Sequence, residues 1–132
     1  MLKDRPWVFQ HGDYHIGNFI IGEEHEIFVI DFDRFDFGDP WEEFNRIVWS
    51  AQVSTPFASG MIDGYFDNEV PDLFWKLLAL YITTNIVGAL PWAISYGDEE
   101  ISVIQNQAKE ILEWYDYMNQ IIPSWYLNKK SE

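Results

Sequence analysis

The sequence predicts an α+β fold that is mainly helical, with strands in residues 1–38 and helices in residues 39–132. Two patterns predict it. Short apolar runs alternate with turn residues at the start of the chain, whereas long apolar patterns with helical spacing follow. A chain of 132 residues, 48% hydrophobic and 18% aromatic, suffices for one well-packed domain and leaves little room for a second. We therefore expect a single domain over residues 1–132.

Three short apolar runs in the first third predict β-strands. They are WVFQ, NFII and EIFVID, and the segment GEEHE between the last two has the glycine and the charges of a hairpin turn. His25 in that segment reads as an ordinary turn residue. Both strands of the predicted hairpin lie next to polar residues, so the hairpin can present polar side chains at one end.

The segment GDPWEEF predicts the start of the first helix. Asp39 is suited to the N-cap, Pro40 to the first helical position, and Glu42 lies three residues after the cap, as in a capping box. The helix is expected to continue to about Val53. A second, shorter helix is predicted over PFASGMIDGYFDN, weakened by its two glycines.

Two longer helices are predicted in the second half. The segment PDLFWKLLALYITTNIVGAL is apolar nearly all round, as in a helix buried on most sides, and Pro91 should kink or end it. The next apolar stripe steps alternately by three and four residues and favours an ordinary core face over a coiled-coil seam. The stripe consists of Ile101, Ile104, Ala108, Ile111, Tyr115, Met118 and Ile122.

Charge and cysteine content exclude several classes of function. The chain has 8 basic and 22 acidic residues, a net charge of −14, which would repel nucleic acid and anionic membranes but suits a cationic small-molecule substrate. The absence of cysteine excludes disulfides and thiolate metal sites. The first residues contain no long apolar run of the signal-peptide kind, so a cytoplasmic location is expected.

Polar side chains that suit phosphoryl transfer cluster near the start of the chain. Transfer from a nucleotide to an alcohol needs a carboxylate to receive the hydroxyl proton and oxygen ligands for Mg²⁺; protein kinases supply them from H-R-D-x-x-x-x-N and a later D-F-G. The segment HGDYHIGN places Asn18 five residues after Asp13, and Asp31 follows in VIDF. One loop and one hairpin can therefore bring Asp13, Asn18 and Asp31 into one site.

The segments HGDYHIGN and VIDFDRFDFGDPWEEF together resemble the aminoglycoside phosphotransferase and choline kinase-like family, with its H-G-D-x-H-x-x-N, I-D-F and G-D-P motifs. The resemblance implies a kinase-like C-terminal lobe and Mg²⁺ with ATP or GTP as phosphate donor. It makes Asp13 the catalytic base and Asn18 and Asp31 the Mg²⁺ ligands, with His11 and His15 supporting the loop. The helical remainder would bind a small alcohol as substrate.

The resemblance also implies an N-terminal lobe that this sequence does not contain. That lobe would supply a phosphate-covering loop and a strand lysine held by a helix glutamate. Ten residues precede His11, and Lys3 is the only lysine among them. We expect the 132-residue chain by itself to be catalytically silent, and to form a homodimer through the apolar surface that an N-lobe would cover.

Alternative readings remain for the function and for single residues. A two-metal phosphoesterase would need more histidines than the three that this sequence has, all by residue 25. A non-catalytic binding or assembly module built on the same half-fold is the second hypothesis. Asp33 is expected to be a solvated loop acid. Asp36 could either bind the substrate or be solvated in the same way. Five tryptophans can line a pocket or, as is more common, fill the core; they are Trp41, Trp49, Trp75, Trp92 and Trp114.

Overall fold

A computed structural model describes residues 3–127 of the chain, so residues 1, 2 and 128–132 of the predicted domain lie outside the described part. Four short strands form two antiparallel two-stranded sheets. The strands are β1 (Val8–Gln10), β2 (Phe19–Ile21), β3 (Ile27–Val29) and β4 (Asp36–Gly38). About half of the chain is helical, which confirms the predicted α+β class.

The two sheets are nested in sequence. β2 and β3 form the predicted hairpin, with Phe19 opposite Val29, and the chain on either side of it pairs as β1 with β4, with Val8 opposite Gly38. β4 was not predicted, because its sequence Asp-Phe-Gly has two residue types that are depleted in strands. The pairing of β1 with β4 closes a loop that contains the whole HGDYHIGN segment and the hairpin.

Two 3₁₀ helices and four α-helices complete the described chain. The 3₁₀ helices are Ile16–Asn18 and Glu42–Arg46, and the α-helices are α1 (Ile47–Val53), α2 (Thr55–Tyr65), α3 (Asp72–Ile94) and α4 (Asp98–Trp114). α1 ends at Val53 as predicted. α2 confirms the second predicted helix; Ser54 caps it by accepting a hydrogen bond from the Phe57 backbone N–H.

The first helical stretch begins later than predicted. Its cap position is Trp41, without a side-chain cap bond, and the regular α-helix starts only at Ile47. Asp39 still accepts a hydrogen bond from the Trp41 backbone N–H, at 2.9 Å. The predicted capping box was wrong. The Asp39 carboxylate also accepts hydrogen bonds from Arg5 and Tyr81, and among the described residues the Glu42 side chain does not accept a hydrogen bond from the Asp39 backbone N–H.

Helix α3 is buried on fewer sides than predicted. Its first half enters the core through Phe74, Trp75, Leu77, Leu78 and Ile82, whereas much of its second half is exposed. Pro91 does not end the helix, which continues to Ile94. The carbonyl that loses its partner at Pro91 belongs to Val87, and Val87 is 67% exposed, so that carbonyl can be solvated.

Helix α3 also has the length and composition of a membrane span, with a mean hydropathy of 1.6 over 18 residues, of which 28% are buried. Core helices of globular proteins meet the same criterion, and the first half of α3 is such a core helix.

Helix α4 uses the predicted stripe as a core face along part of its length. Ile104, Ile111 and Tyr115 are buried, which confirms the core reading there. Met118 and Ile122 lie beyond the end of the helix and are exposed, because residues 116–118 all have positive φ and turn the chain away.

The core lies between α1, α2, α3 and α4 and is rich in aromatic residues. Phe44 and Phe74 pack edge to face with their ring centres 5.4 Å apart, and Phe66 packs on Phe74 at 4.7 Å. The remaining core side chains include Ile47, Val48, Ile62, Trp75, Tyr115 and Trp125. This core fixes the 3₁₀ helix Glu42–Arg46 and α1 beneath the loop that joins β1 to β2.

Candidate functional site

The loop between β1 and β2 crosses the turn before β4 at very short range. Gly12 has φ +82°, and a Cβ built there would lie 1.9 Å from the carbonyl oxygen of Arg34. Any other residue would meet both a backbone clash and an unfavourable φ. Gly12, the first glycine of HGDYHIGN, is therefore required where these two loops touch.

His11 joins the loop to the end of strand β3. Its Nε2 donates a hydrogen bond to the Ile30 carbonyl at 2.8 Å, and its Nδ1 accepts from the Asp13 backbone N–H at 3.2 Å. These partners assign the neutral tautomer with the proton on Nε2. The ring is 4% exposed and lies against Phe32, with ring centres 4.4 Å apart. His11 therefore acts as a buried connector between the Asp13 backbone and the residue before Asp31.

Glu43 holds the backbone of the same loop from below. Its carboxylate accepts hydrogen bonds from the His11 N–H at 2.5 Å and from the Gly12 N–H at 2.9 Å. Burial, with a contribution from the Glu43 charge, raises the pKa of the Tyr14 hydroxyl beside it. Sequence reasoning missed this role, because nothing in GDPWEEF indicates that its second glutamate contacts backbone 31 and 32 positions away.

The Asp13 carboxylate lies between two nitrogen-bearing side chains. His15 Nε2 is 3.5 Å from Oδ2, and Arg46 Nε is 3.5 Å from Oδ1. Burial lowers the pKa of the Arg46 guanidinium, Asp13 opposes that shift, and the positive charge of Arg34 adds to it. Arg34 and Arg46 were also missed, since their closeness to Asp13 depends on chain folding and not on sequence distance.

Asn18 and Asp31 lie at neighbouring strand ends. The Asn18 side-chain Nδ2 donates to the Asp13 carbonyl at 2.8 Å, and the Ile30 N–H donates to the Asn18 carbonyl at 3.0 Å. Asn18 is 8% exposed, while Asp31 is exposed and has φ +65°. Because Nδ2 is the atom used by the loop, the Oδ1 acceptor is left for another partner.

These two side chains fit the donor set of a hard divalent cation. One amide oxygen and one carboxylate oxygen, completed by phosphate and solvent oxygens, are what Mg²⁺ takes in nucleotide sites. Within residues 3–127, no group of three or more His, Cys, Asp or Glu side chains is arranged to hold a metal by itself. Two protein oxygens alone would leave the coordination shell of a Mg²⁺ ion incomplete.

His15 shapes the turn after Asp13. Its Nδ1 accepts a hydrogen bond from the Gly17 N–H at 3.1 Å and so caps the 3₁₀ helix Ile16–Asn18. The Ile16 N–H donates to Ser50 Oγ of α1 at 3.0 Å, which attaches this turn to the helical part. Both contacts fix the backbone of the turn and therefore the position of the Asn18 Cα atom.

The other candidate acids lie elsewhere. Asp36 is exposed in β4 and accepts a hydrogen bond from the Phe37 N–H, 2.7 Å away, and Asp33 is exposed in the preceding turn. Asp39 is buried, with Arg5 Nε and Nη2 donating to its two carboxylate oxygens at 2.7 and 2.9 Å and the Tyr81 hydroxyl donating at 2.7 Å. The structure thus joins Asp13, Asn18, His11 and His15 by direct contacts, whereas among residues 3–127 the side chains of Asp33, Asp36 and Asp39 neither bond to these four residues nor line the cleft beside Asp13.

A cleft of about 660 Å³ opens beside Asp13. Its near wall consists of His15, Arg34, Arg46 and Trp49, and its far wall comes from the second half of α3 and from α4. Trp49 and Trp92 line it, whereas Trp75 is a core residue. The resemblance implied that the helical part binds the substrate. Apart from Trp92, the residues of the far wall were not predicted, because they lie about seventy or more residues further along the chain and no local motif marks them.

Comparison with known proteins gives one match. The model of the phosphotransferase enzyme family, APH, matches residues 1–74, which is more than half of the chain and includes the loop, the hairpin, the GDPWEEF segment, α1 and α2. No curated protein and no solved structure matches the chain. The matched span contains every side chain that surrounds Asp13 at close range, and on this evidence the chain belongs to the phosphotransferase enzyme family.

Proposed function

We propose that the chain is the C-terminal part of a small-molecule kinase that transfers the γ-phosphate of ATP or GTP to a hydroxyl group of its substrate. The observation that carries the proposal is the position of Asp13 in the wall of a 660 Å³ cleft, with its backbone N–H bonded to His11. A cleft of this size is typical of sites for small molecules. The family membership supports the reaction class.

In the proposed step, Asp13 receives the proton of the acceptor hydroxyl as that oxygen forms a bond to the γ-phosphorus. The bond between the γ-phosphorus and the bridging oxygen breaks, and the nucleoside diphosphate leaves with the electron pair. Arg46, 3.5 Å from Asp13, keeps the carboxylate oriented. His11 and Glu43 keep the loop backbone in place, so that Asp13 needs little rearrangement.

Asn18 and Asp31 would hold Mg²⁺ in this proposal, because they offer oxygen donors at neighbouring strand ends. The cation would neutralise charge on the phosphates of the bound nucleotide. The parts that grip those phosphates in kinases, a strand lysine paired with a helix glutamate, are not among the groups around Asp13. We therefore propose that the 132-residue chain alone does not turn over.

Asp13→Asn tests the proposal in a protein that joins this chain to a complete nucleotide-binding N-terminal lobe. Loss of the proton acceptor should lower kcat by about 10²- to 10⁴-fold. Nucleotide affinity should change little. Release of ADP or GDP in the presence of a panel of alcohols is the measurement.

Asp33→Asn is the matched control, because it removes one exposed acid two residues after Asp31 without touching the cleft. Near-native turnover by Asp13→Asn would refute the role of Asp13. If no alcohol in the panel is ever phosphorylated although nucleotide binds, the alternative of a binding or assembly module replaces the kinase.

A further inference from the structure

The charges in the cleft cancel, in contrast to those of the whole chain. The chain carries −14, yet the residues lining the cleft include two acids, Asp13 and Glu100, and two arginines, Arg34 and Arg46. The acids at Asp33, Asp36 and Glu42, which make the first part of the chain acidic, are not among these residues. The cleft is therefore electrically different from the surface around it.

Neither a positive nor a negative substrate suits this balance. Arg34 and Arg46 line the same cleft; burial lowers the pKa of Arg46, the Asp13 carboxylate opposes that shift, and the positive charge of Arg34 adds to it, so the two arginines are close enough to repel each other. A cationic substrate would add a third positive charge. An anionic substrate would approach the Asp13 carboxylate directly, because that group must contact the reacting hydroxyl. Both costs are avoided by a substrate without net charge.

The neutral lining residues offer two kinds of contact. Trp49 and Trp92 line the cleft, and Trp92, which packs on Tyr96 with ring centres 4.4 Å apart, is still 47% exposed, so part of its ring can contact a ligand. Thr84, Asn85 and Gln107 supply a hydroxyl and two amides that donate and accept hydrogen bonds. Gln107 is 4% exposed, and only its Nε2 is engaged, with Gln52 at 3.3 Å.

Small residues on α3 leave room for a small ring between these groups. Gly88 and Ala89 line the cleft, and a Cβ built on Gly88 would meet no heavy atom within 4 Å. A saturated ring could place its C–H face against Trp92 and its hydroxyl groups toward the amides. Aromatic faces suit the C–H faces of saturated rings, and amides suit hydroxyl edges.

We propose that the substrate is a neutral, polyhydroxylated ring of the sugar or cyclitol class. The inference rests on the proposed function for the identity of the reacting group, but it concerns binding and can be tested without nucleotide. The cationic substrate expected from the total charge is the competing prediction, and one experiment decides between the two.

The experiment titrates the purified 132-residue chain with probes that share one ring and differ in charge. The probes are a set of methyl hexosides and myo-inositol, with the 2-amino and 6-carboxylate analogues of each hexoside. Calorimetry and saturation-transfer NMR measure their binding. We expect a neutral ring to bind, and its amino and carboxylate analogues to bind at least about fivefold more weakly.

Two variants identify the place of binding. Trp92→Ala should weaken binding of the neutral ring about tenfold. Trp7→Ala, which removes a tryptophan that is 75% exposed and outside the cleft, should leave it unchanged. Circular dichroism would establish that both variants are folded.

Tighter binding of the amino analogue, or no binding of any ring, would overturn the inference. Failure of the proposed function looks different. A neutral ring that binds in a Trp92-dependent way, but is not phosphorylated by a protein that joins this chain to a nucleotide-binding lobe, would sustain this inference and refute the kinase. An active kinase that accepts only amines would do the reverse.

Discussion

Glu43 accepts two backbone hydrogen bonds from the loop that carries Asp13, one from His11 and one from Gly12. Hydrogen bonds to a charged acceptor contribute more than neutral ones, and an unpaired N–H at a partly buried site is unfavourable. The position of the loop therefore depends on a side chain from the first helical stretch.

Glu43→Gln should lower the free energy of unfolding by about 1.5–3 kcal/mol, because an amide cannot accept from both N–H groups as a carboxylate does. Amide exchange at His11 and Gly12 should accelerate more than elsewhere. Denaturant unfolding and residue-resolved hydrogen exchange are the measurements. Glu42→Gln, one position earlier, is the control, and equal effects of the two variants would contradict the assignment.

Sequence could supply the residues of the site that lie close together in the chain. Asp13, Asn18 and Asp31 fall within one loop and one hairpin, so their order and spacing contain the information. The contacts of Glu43 and Arg46 with that loop span about thirty residues, and the packing of α1 determines them. No local pattern distinguishes these two residues from other charged residues on a helix.

At the scale of the elements, one ion pair joins three distant segments. Arg5 precedes β1, Asp39 follows β4 and Tyr81 lies in α3, and both other side chains donate to the Asp39 carboxylate. The Arg5 guanidinium also stacks on Trp41, 3.5 Å from the ring centre. The contact attaches the sheet region to the helical part.

The pKa of Asp39 is lowered, although burial by itself would raise it, because hydrogen bonds from Arg5, Tyr81 and the Trp41 N–H outweigh that effect. A depressed carboxyl pKa contributes stability that is present above the unfolded value of about 3.9 and is lost as pH falls through the lower folded value. The ion pair should therefore stabilise the fold at neutral pH and fail in acid.

Asp39→Asn should lower the free energy of unfolding at pH 7 by about 1–3 kcal/mol. The difference between the variant and the unaltered chain should shrink as pH falls from about 4, where Asp39 becomes protonated in the unfolded chain, through the lower pKa that it has in the folded chain. Urea unfolding at a series of pH values measures both. A difference that stays constant down to about pH 2 would show that the charge of Asp39 is not what stabilises the fold.

Secondary-structure elements, like site residues, could be predicted where the determining residues are close in sequence, and not where distant contacts determine them. The hairpin and α2 were predictable because their turn and cap residues lie within a few positions of each other. Strand β4 exists only because β1 pairs with it, and the exposed second half of α3 faces the cleft and solvent where composition predicted core. Pairing and layer arrangement, not propensity, decide both cases.

At the scale of the whole molecule, both small sheets expose large apolar side chains. Ile21 is 66% exposed, Phe28 53% and Phe37 51%, and several neighbours are similar. Apolar surface of this extent favours association in water. We predict that the 132-residue chain forms a dimer through these sheets at about tens of micromolar.

Sedimentation velocity measures that prediction. Because each chain carries −14, added salt should strengthen the dimer by screening the repulsion. Replacing Ile21 and Phe28 by Lys should give a monomer, whereas Val53→Lys, at a residue 71% exposed at the end of α1, should not. A monomer at all salt concentrations would contradict the prediction.

The two walls of the cleft come from separate stretches of the chain. Asp13 and the groups that orient it lie in residues 11–50, whereas the far wall is formed by residues 84–107 of α3 and α4. Thr84, Asn85, Gly88 and Trp92 make no hydrogen bond to the Asp13 loop among the described residues. Under the proposed function, substitutions in that second stretch would leave the hydrogen bonds that position Asp13 unchanged. Substrate selectivity could then evolve, or be engineered, independently of the chemical step.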